Sequence, residues 1–166
     1  ERDRPYLLTV GRLEEYKGVQ HVIRAMTALP EYDLLVAGKG PYREGLEKIS
    51  REEGVENQVE FLGYVDDEKL PKLYAGAEVY VTMSEFEAYG MTVAEALASG
   101  TPCVVSEDAA LQGWAQHPGV VGISNISNEK IKNSIETTNK NKISADLIKT
   151  WGAVTGSIEK IYEKQI

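Results

Sequence analysis

Short apolar runs alternate with helix-like stretches along most of this sequence, and this alternation restricts the fold more than any other feature. We predict strands at Tyr6–Val10, Leu34–Ala37, Val59–Leu62, Ala77–Thr82, Cys103–Val105 and Val120–Ile123. Strands and helices recur at intervals of roughly 20–25 residues, which is typical of a parallel sheet covered by helices on both faces. The sequence therefore predicts an α/β fold: one Rossmann-like domain over residues 1–166, built on a doubly wound parallel sheet.

The predicted helices are bounded by glycine, proline and aspartate. We predict helices at Val19–Leu29, Tyr42–Glu53, Asp66 or Asp67 to Tyr74, Gly90 to Gly100, and Glu129–Thr137, and a last one from Ala145 through Trp151 and Tyr162. Gly54 and Gly100 stand where helix ends favour glycine. Either aspartate before the third helix could act as its N-cap.

Composition restricts the class of protein and its compartment. The chain has 166 residues, 42% of them hydrophobic, and a net charge of −8. An acidic balance argues against a nucleic-acid partner, which would require a basic stripe. The lone Cys103 lies in an apolar strand, so we expect a buried thiol and a reducing compartment. Because no apolar run approaches the length of a membrane span, we expect a cytoplasmic protein whose full-length form could lie at a membrane surface.

Two carboxylates bracket a strand-to-helix turn near the middle of the chain. Glu87 and Glu95 have seven residues between them, and the helix begins after Gly90. The residues at and before this helix start are Ala88, Tyr89, Gly90, Met91 and Thr92. Backbone N–H groups at a helix start favour an anion, most often phosphate. An ionised glutamate only accepts hydrogen bonds and so suits a vicinal diol such as a ribose. The turn could therefore hold a nucleoside diphosphate.

Two cations follow the first predicted strand. Arg12 and Lys17 lie in the loop between Gly11 and Gly18. In open α/β sheets, ligands bind at the carboxyl ends of the strands, which places both cations at the expected edge. Arginine offers a planar fork to phosphate oxygens and lysine a point charge.

The glycine-rich segment after the second strand admits two interpretations. Gly38, Gly40 and Pro41 resemble the start of a dinucleotide fingerprint, but Arg43 stands where the third glycine is required. We therefore favour a tight strand-to-helix turn. Two histidines, His21 and His117, have no partner at metal-ligand spacing, so we predict no metal site.

Together these motifs resemble family 4 of the retaining glycosyltransferases, which have the GT-B architecture of two facing Rossmann-like domains. Glu87 and Glu95 match the E-x7-E signature, and Gly11 to Gly18 match the family's G-R-x-x-x-x-K-G element. Gly38 to Pro41 are similar to its V-G-x-G-P element, which lies beside the sugar-nucleotide cleft. The resemblance covers Tyr6 to Val105 and returns weakly at Trp151 and Tyr162. It implies the C-terminal, donor-binding half of such an enzyme.

The resemblance also implies roles for individual residues. Arg12 and Lys17 would neutralise the diphosphate leaving group, Glu95 would hold the ribose, and Glu87 would contact the transferred sugar. The backbone of Tyr64 and Val65 would read the nucleobase. The implied donor is a UDP- or GDP-sugar, used for retaining transfer without a metal or another cofactor. Since only five residues precede the first strand, we expect the N-terminal acceptor domain to lie outside this chain, which would then bind donor without transferring sugar.

One segment departs from the family pattern, and two other functions stay open. Ser106–Gly119 lacks the family's Gly-rich loop and the glutamate that follows it, so contacts from this segment to the sugar are not predicted. Trp114 in this segment could be an exposed contact, but we favour a local packing anchor. The alternatives are a non-catalytic sugar-nucleotide-binding module and an NAD-type Rossmann domain. The second is disfavoured by Arg43 and by the lack of an early G-x-G-x-x-G sequence.

Overall fold

A six-stranded parallel sheet forms the centre of the domain. A computed structural model of the chain describes residues 3–107 and 111–140. The strands are β1 (Tyr6–Val10), β2 (Asp33–Ala37), β3 (Val59–Gly63), β4 (Val79–Thr82), β5 (Cys103–Ser106) and β6 (Val120–Ile123). Their order across the sheet is β3-β2-β1-β4-β5-β6, and every neighbouring pair is parallel. The predicted α/β doubly wound sheet is confirmed, and each predicted strand is present with its ends within two residues.

Helices cover both faces of this sheet. They are α1 (Val19–Ala25), α2 (Arg43–Glu52), α3 (Leu70–Gly76), α4 (Met91–Ala98), α5 (Leu111–Trp114) and α6 (Asn128–Lys140). Two 3-10 turns, Glu15–Lys17 and Met26–Ala28, lie on either side of α1. One buried cluster packs the sheet against α1, α2 and α6, and a second packs it against α3, α4 and α5.

Burial of the strands on both faces explains why they appear in the sequence as continuous apolar runs. Leu7 and Leu8 are neighbours in β1, and both are fully buried. Their side chains belong to different clusters, since alternate residues of a strand point to opposite faces. A sheet covered on both faces therefore needs continuous apolar runs rather than alternation. The predicted burial of Cys103 is confirmed by the same geometry.

The predicted start of the third helix is wrong. We expected Asp66 or Asp67 to cap it, whereas α3 begins at Leu70 after Lys69, and no side chain caps it. The Asp66 carbonyl accepts hydrogen bonds from the backbone N–H groups of Lys69 and Leu70, and its carboxylate pairs with Lys69 Nζ at 3.2 Å. The aspartates thus belong to a preceding turn, which leaves the Asp67 side chain available to line a groove.

Other differences are smaller. The α-helical part of the predicted helix Val19–Leu29 ends at Ala25, and a 3-10 turn continues it before Pro30. The helix α5 was not predicted, because four residues are too few to show a helical period. The predicted helix from Ala145, with Trp151 and Tyr162, lies outside the described residues.

The strand order creates a crevice at the carboxyl edge of the sheet. The chain runs from β1 outward to β2 and β3, and then returns to place β4 on the other side of β1. The loops after β1 and β4 therefore leave the sheet towards opposite sides. Ligands of doubly wound sheets bind where the order reverses in this way, which here is the space between these two loops.

Candidate functional site

The loops after β1 and β4 contact each other directly. The backbone N–H of Glu85 donates to the Tyr16 carbonyl at 2.8 Å. Gly18, with φ of 70°, packs so closely against the second loop that a Cβ atom there would lie 1.9 Å from the Met83 carbonyl oxygen. A glycine is therefore required at this position for the two loops to meet.

The glycine-rich turn after β2 supports the β1 loop from the other side. Gly11 N–H donates to the Ala37 carbonyl and Leu13 N–H to the Lys39 carbonyl, both at 3.0 Å. A Cβ atom on Gly38 would lie 1.7 Å from the Gly11 carbonyl oxygen. At Gly40, a Cβ atom would lie 2.2 Å from the Leu13 carbonyl oxygen. The interpretation as a tight turn is confirmed, because these glycines allow two loops to approach.

Arg43 has a structural role that a third fingerprint glycine could not fill. It follows Pro41 and Tyr42, and it is the first residue of α2. Its guanidinium pairs with Glu47 at 2.8 Å and lies over the Phe61 ring at 5.6 Å.

The two predicted cations line the crevice, and each has a carboxylate partner. Lys17 Nζ lies 2.6 Å from Glu87 Oε1, and both side chains are only 19% exposed. Arg12 lies 2.9 Å from Glu14, and its side chain is 74% exposed. The structure thus brings Arg12, Lys17 and Glu87 to one place, where they line a small cavity together. An incoming anion would have to exchange with the carboxylates that these cations contact.

The start of α4, four residues after Glu87, presents backbone donors. Gly90 takes a left-handed conformation with φ of 69°, and its carbonyl accepts from the N–H groups of Val93 and Ala94. Among the described residues, no backbone carbonyl accepts from the N–H groups of Gly90, Met91 or Thr92. These groups could bind an anion.

Side chains hold this first turn in place. The Tyr80 hydroxyl, from β4, donates to Thr92 Oγ1 at 2.7 Å. Ala88 and Tyr89 lie in the bend before Gly90, and the Tyr89 and Met91 side chains are both partly exposed. One side of the turn is therefore open to solvent.

Glu95 lines a groove between α3 and α4. The groove has a volume of about 460 Å³ and is lined by Asp67, Leu70, Pro71, Tyr74, Ala75, Glu95, Ala98 and Ser99. The Tyr74 hydroxyl donates to Glu95 Oε2 at 3.0 Å, which fixes the orientation of the carboxylate. Burial raises the pKa of Glu95, and the negative charge of Asp67 raises it further, whereas the hydrogen bond from Tyr74 opposes both effects.

A second groove continues from the first towards the cations. It has a volume of about 330 Å³, and its lining includes Gly11, Arg12, Gly38, Tyr64 and Val65. It shares Asp67 and Leu70 with the groove of Glu95. Of the predicted site residues, Arg12, Tyr64, Val65 and Glu95 thus line two grooves that share residues. Gly90, Met91 and Thr92 line neither of these grooves.

Some lining residues were not predicted from the sequence. Tyr74 and Asp67 beside Glu95, and Lys39, whose ammonium lies 5.7 Å from the Tyr64 ring centroid, become apparent only in the fold. One signal was present for Tyr74. It lies four residues after Leu70, which places both on one side of α3.

Two findings concern other kinds of site. In residues 3–107 and 111–140, no group of three or more histidine, cysteine, aspartate or glutamate side chains could hold a metal ion. Over the same residues, no helix has the length and apolar character needed to cross a bilayer.

The fold and site define a doubly wound domain with a crevice at its switch point that Arg12, Lys17 and Glu87 line. A sequence profile of the family described as Glycosyl transferases group 1 matches residues 1–150. The chain therefore belongs to this glycosyltransferase family. Its six-stranded parallel sheet matches the Rossmann-like domains of GT-B glycosyltransferases.

Similar proteins include enzymes from bacteria and archaea. The chain is 41% identical over 118 residues to an uncharacterized glycosyltransferase of Methanocaldococcus jannaschii, covering 69% of this chain and 30% of that protein. It is 37% identical over 122 residues to a glycogen synthase of Mycobacterium tuberculosis, covering 71% of this chain and 29% of that one. The chain thus spans less than a third of the length of these relatives.

Solved structures show the same fold. HepE of Anabaena, in complex with UDP and glucose, superposes with a TM-score of 0.81 at 20% identity, covering 98% of this chain and 47% of that one. Sucrose-phosphate synthase from Thermosynechococcus elongatus superposes with a TM-score of 0.77 at 25% identity, covering 98% and 46%. The chain thus corresponds to about half of each of these proteins.

The raised pKa of Glu95 predicts that its charge destabilises the ligand-free domain. A group whose pKa is raised by folding stabilises the folded state when it is protonated. This stabilisation is full below the pKa of the unfolded state, about 4.3, and is lost as the pH rises through the pKa of the folded state. Glu95→Gln removes the charge but keeps an acceptor for Tyr74. We expect this variant to melt at a higher temperature than the parent at pH 7, with a difference that shrinks towards pH 4.

Thermal melts of both proteins across this pH range measure the effect. Glu56→Gln, at an exposed loop position, is the matched control and should leave the melting temperature unchanged. A Glu95→Gln variant that melts below the parent at pH 7 would contradict the prediction.

Proposed function

We propose that this domain, residues 1–166, is the nucleotide-sugar donor domain of a family 4 GT-B glycosyltransferase, and that it forms the C-terminal half of that enzyme. The enzyme transfers a sugar from a UDP- or GDP-sugar with retention of configuration and without a metal. One observation carries the proposal: Arg12, Lys17 and Glu87 line one cavity between the loops after β1 and β4, where the strand order reverses.

The diphosphate binds between the β1 loop and α4. Charge develops on the diphosphate as the glycosidic bond breaks, so stabilising that charge is the main catalytic contribution available here. Arg12 and Lys17 supply two positive charges, and the N–H groups of Gly90, Met91 and Thr92 supply donors. These groups provide the charge compensation that a divalent cation provides in other transferases.

The nucleoside lies in the connected grooves. Glu95, oriented by Tyr74, accepts hydrogen bonds from the ribose hydroxyls. The base lies near the backbone of Tyr64 and Val65, over the shared wall formed by Leu70. The complexes of HepE with UDP and glucose and of pneumococcal GtfA with UDP and GlcNAc favour UDP as the first nucleotide to test.

Glu87 and Lys17 act as a pair at the transferred sugar. In the ligand-free domain, the carboxylate of Glu87 holds Lys17 in the crevice at 2.6 Å. When the donor binds, Lys17 turns to the diphosphate, and Glu87 is released to accept hydrogen bonds from sugar hydroxyls. Arg12, Lys17 and Glu87 are thus the proposed catalytic residues.

The complete enzyme contains a second domain that binds the acceptor. This part of the proposal rests on length, because the chain spans less than a third of the glycosyltransferase and glycogen synthase relatives described above. The donor domain alone binds nucleotide without transferring sugar. The proposed location of the enzyme is the cytoplasm, and its proposed substrates there are nucleotide sugars.

Nucleoside diphosphates should stabilise the isolated domain without added metal. Ligand present at 100 times its dissociation constant stabilises the folded state by about 2.7 kcal/mol. Thermal melts with millimolar UDP or GDP in the presence of EDTA should therefore show a higher melting temperature, and NAD should have no effect. A folded sample that responds to neither diphosphate would overturn the donor-domain proposal.

The two loop cations should matter for the diphosphate and not for the nucleoside. Arg12→Ala and Lys17→Ala each remove a charged hydrogen-bond donor, worth about 1.5–3 kcal/mol. Calorimetric titration should show weaker binding of UDP or GDP with unchanged binding of uridine or guanosine. Lys48→Ala, on the exposed face of α2, is the control. Equal losses for nucleoside and diphosphate would show that the loop variants damage the fold instead.

The two carboxylates should divide the donor between them. Glu95→Gln places an amide donor opposite the ribose hydroxyls and should weaken binding of the bare nucleotide. Glu87→Gln frees Lys17 from its partner and should not weaken binding of the bare nucleotide. This variant should show weaker binding only with the intact sugar donor. Titration of both variants with nucleotide and with sugar nucleotide measures this. This division of roles is wrong if Glu87→Gln weakens binding of the bare nucleotide as strongly as Glu95→Gln does.

A further inference from the structure

A buried tryptophan contacts the turn that begins α4. Trp114 is 2% exposed, and its indole N–H donates to the Tyr89 carbonyl at 2.9 Å. A Cβ atom on Gly90 would lie 2.8 Å from the indole nitrogen and 3.0 Å from Cδ1. The indole thus contacts the Tyr89–Gly90 peptide both through a hydrogen bond and through close packing.

The geometry of a trans peptide makes this contact directional. The C=O and N–H groups of one trans peptide point in opposite directions. Because the Tyr89 carbonyl is directed to the buried indole, the N–H of Gly90 is directed away from it, towards the open side of the turn. Tyr89 and Met91 flank this side, with side chains that are 44% and 45% exposed.

The same segment of chain holds the other end of the β4–α4 loop. The Ser106 hydroxyl donates to the Ser84 carbonyl at 2.6 Å, and the Ser84 hydroxyl donates to the Phe86 carbonyl at 3.0 Å. Ser106 and Trp114 both lie in Ser106–Gly119, the segment that departs from the family pattern. Ser106 and Trp114 therefore hold the two ends of the β4–α4 loop.

We propose that Trp114 is a positioning residue of the donor site, which orients the Gly90 N–H towards the diphosphate through the Tyr89 carbonyl. This inference rests on the proposed function. Trp114 touches no substrate, and its effect is confined to the diphosphate, because Trp114, Tyr89 and Gly90 line neither of the grooves proposed for the nucleoside.

Trp114→Phe tests the role, because it keeps an aromatic ring and removes the N–H donor. We expect this variant of the 166-residue chain to bind UDP or GDP about tenfold more weakly, in line with the loss of an oriented donor to a charged group. Binding of uridine or guanosine should be unchanged.

The matched control is Tyr6→Phe. It also removes a donor to a backbone carbonyl, that of Leu73, but at the opposite edge of the sheet. The ratio of diphosphate to nucleoside affinity should stay at the parental value in this control. If Trp114→Phe also keeps the parental ratio, because it binds both ligands as the parent does or loses affinity for both equally, the positioning role is overturned. A parent chain that binds neither diphosphate would overturn the proposed function with it.

Fluorescence provides a second measurement if Trp114→Phe does not fold. The sequence contains two tryptophans, so Trp151→Phe leaves Trp114 as the only tryptophan, whose emission can be excited selectively over that of the tyrosines. We expect UDP or GDP to shift its emission and uridine or guanosine to leave it unchanged. Emission that does not respond to either diphosphate, at concentrations that bind, would overturn the role of Trp114.

Discussion

The close backbone contact between the β1 loop and the β4 loop is the constraint on which the rest of the site depends. It needs Gly18, because any Cβ atom there would meet the Met83 carbonyl, and it is closed by the hydrogen bond from Glu85 to Tyr16. The contact bridges the switch point of the sheet. It therefore brings Lys17 from one loop and Glu87 from the other within 2.6 Å, although 70 residues separate them in the chain.

Each cation of the crevice has a carboxylate partner. The chain carries a net charge of −8, yet its candidate anion site has two cations, each held by a nearby carboxylate. These carboxylates keep the ligand-free site close to electrical balance, and a diphosphate would replace them. Glu95 differs, because burial and Asp67 both disfavour its charge. The proposed contact with the ribose gives a reason for a carboxylate at a position where burial disfavours its charge.

The accuracy of the sequence-based predictions followed from how each element is stabilised. The strands were predicted well because burial on both faces makes them continuous apolar runs, as in Leu34–Ala37. Helix starts were predicted less well, because the residue types that favour helix N-caps, such as aspartate, also favour turns. Asp66 could have capped α3, but its backbone forms a turn instead. The short helix α5 had no period to detect, so the buried contact of Trp114 with Tyr89 was visible only in the fold.

The sequence by itself determined the fold class, the family and the identity of the candidate groups: two cations after β1 and two glutamates around the start of α4. These follow from local patterns, in which spacing along the chain is sufficient. Only the tertiary structure decided the partners, namely Lys17 with Glu87, Glu95 with Tyr74, and the Tyr89–Gly90 peptide with Trp114. Each of these pairs joins separate elements, whose distances are set by strand order and helix packing. Such distances leave no periodic trace in the sequence.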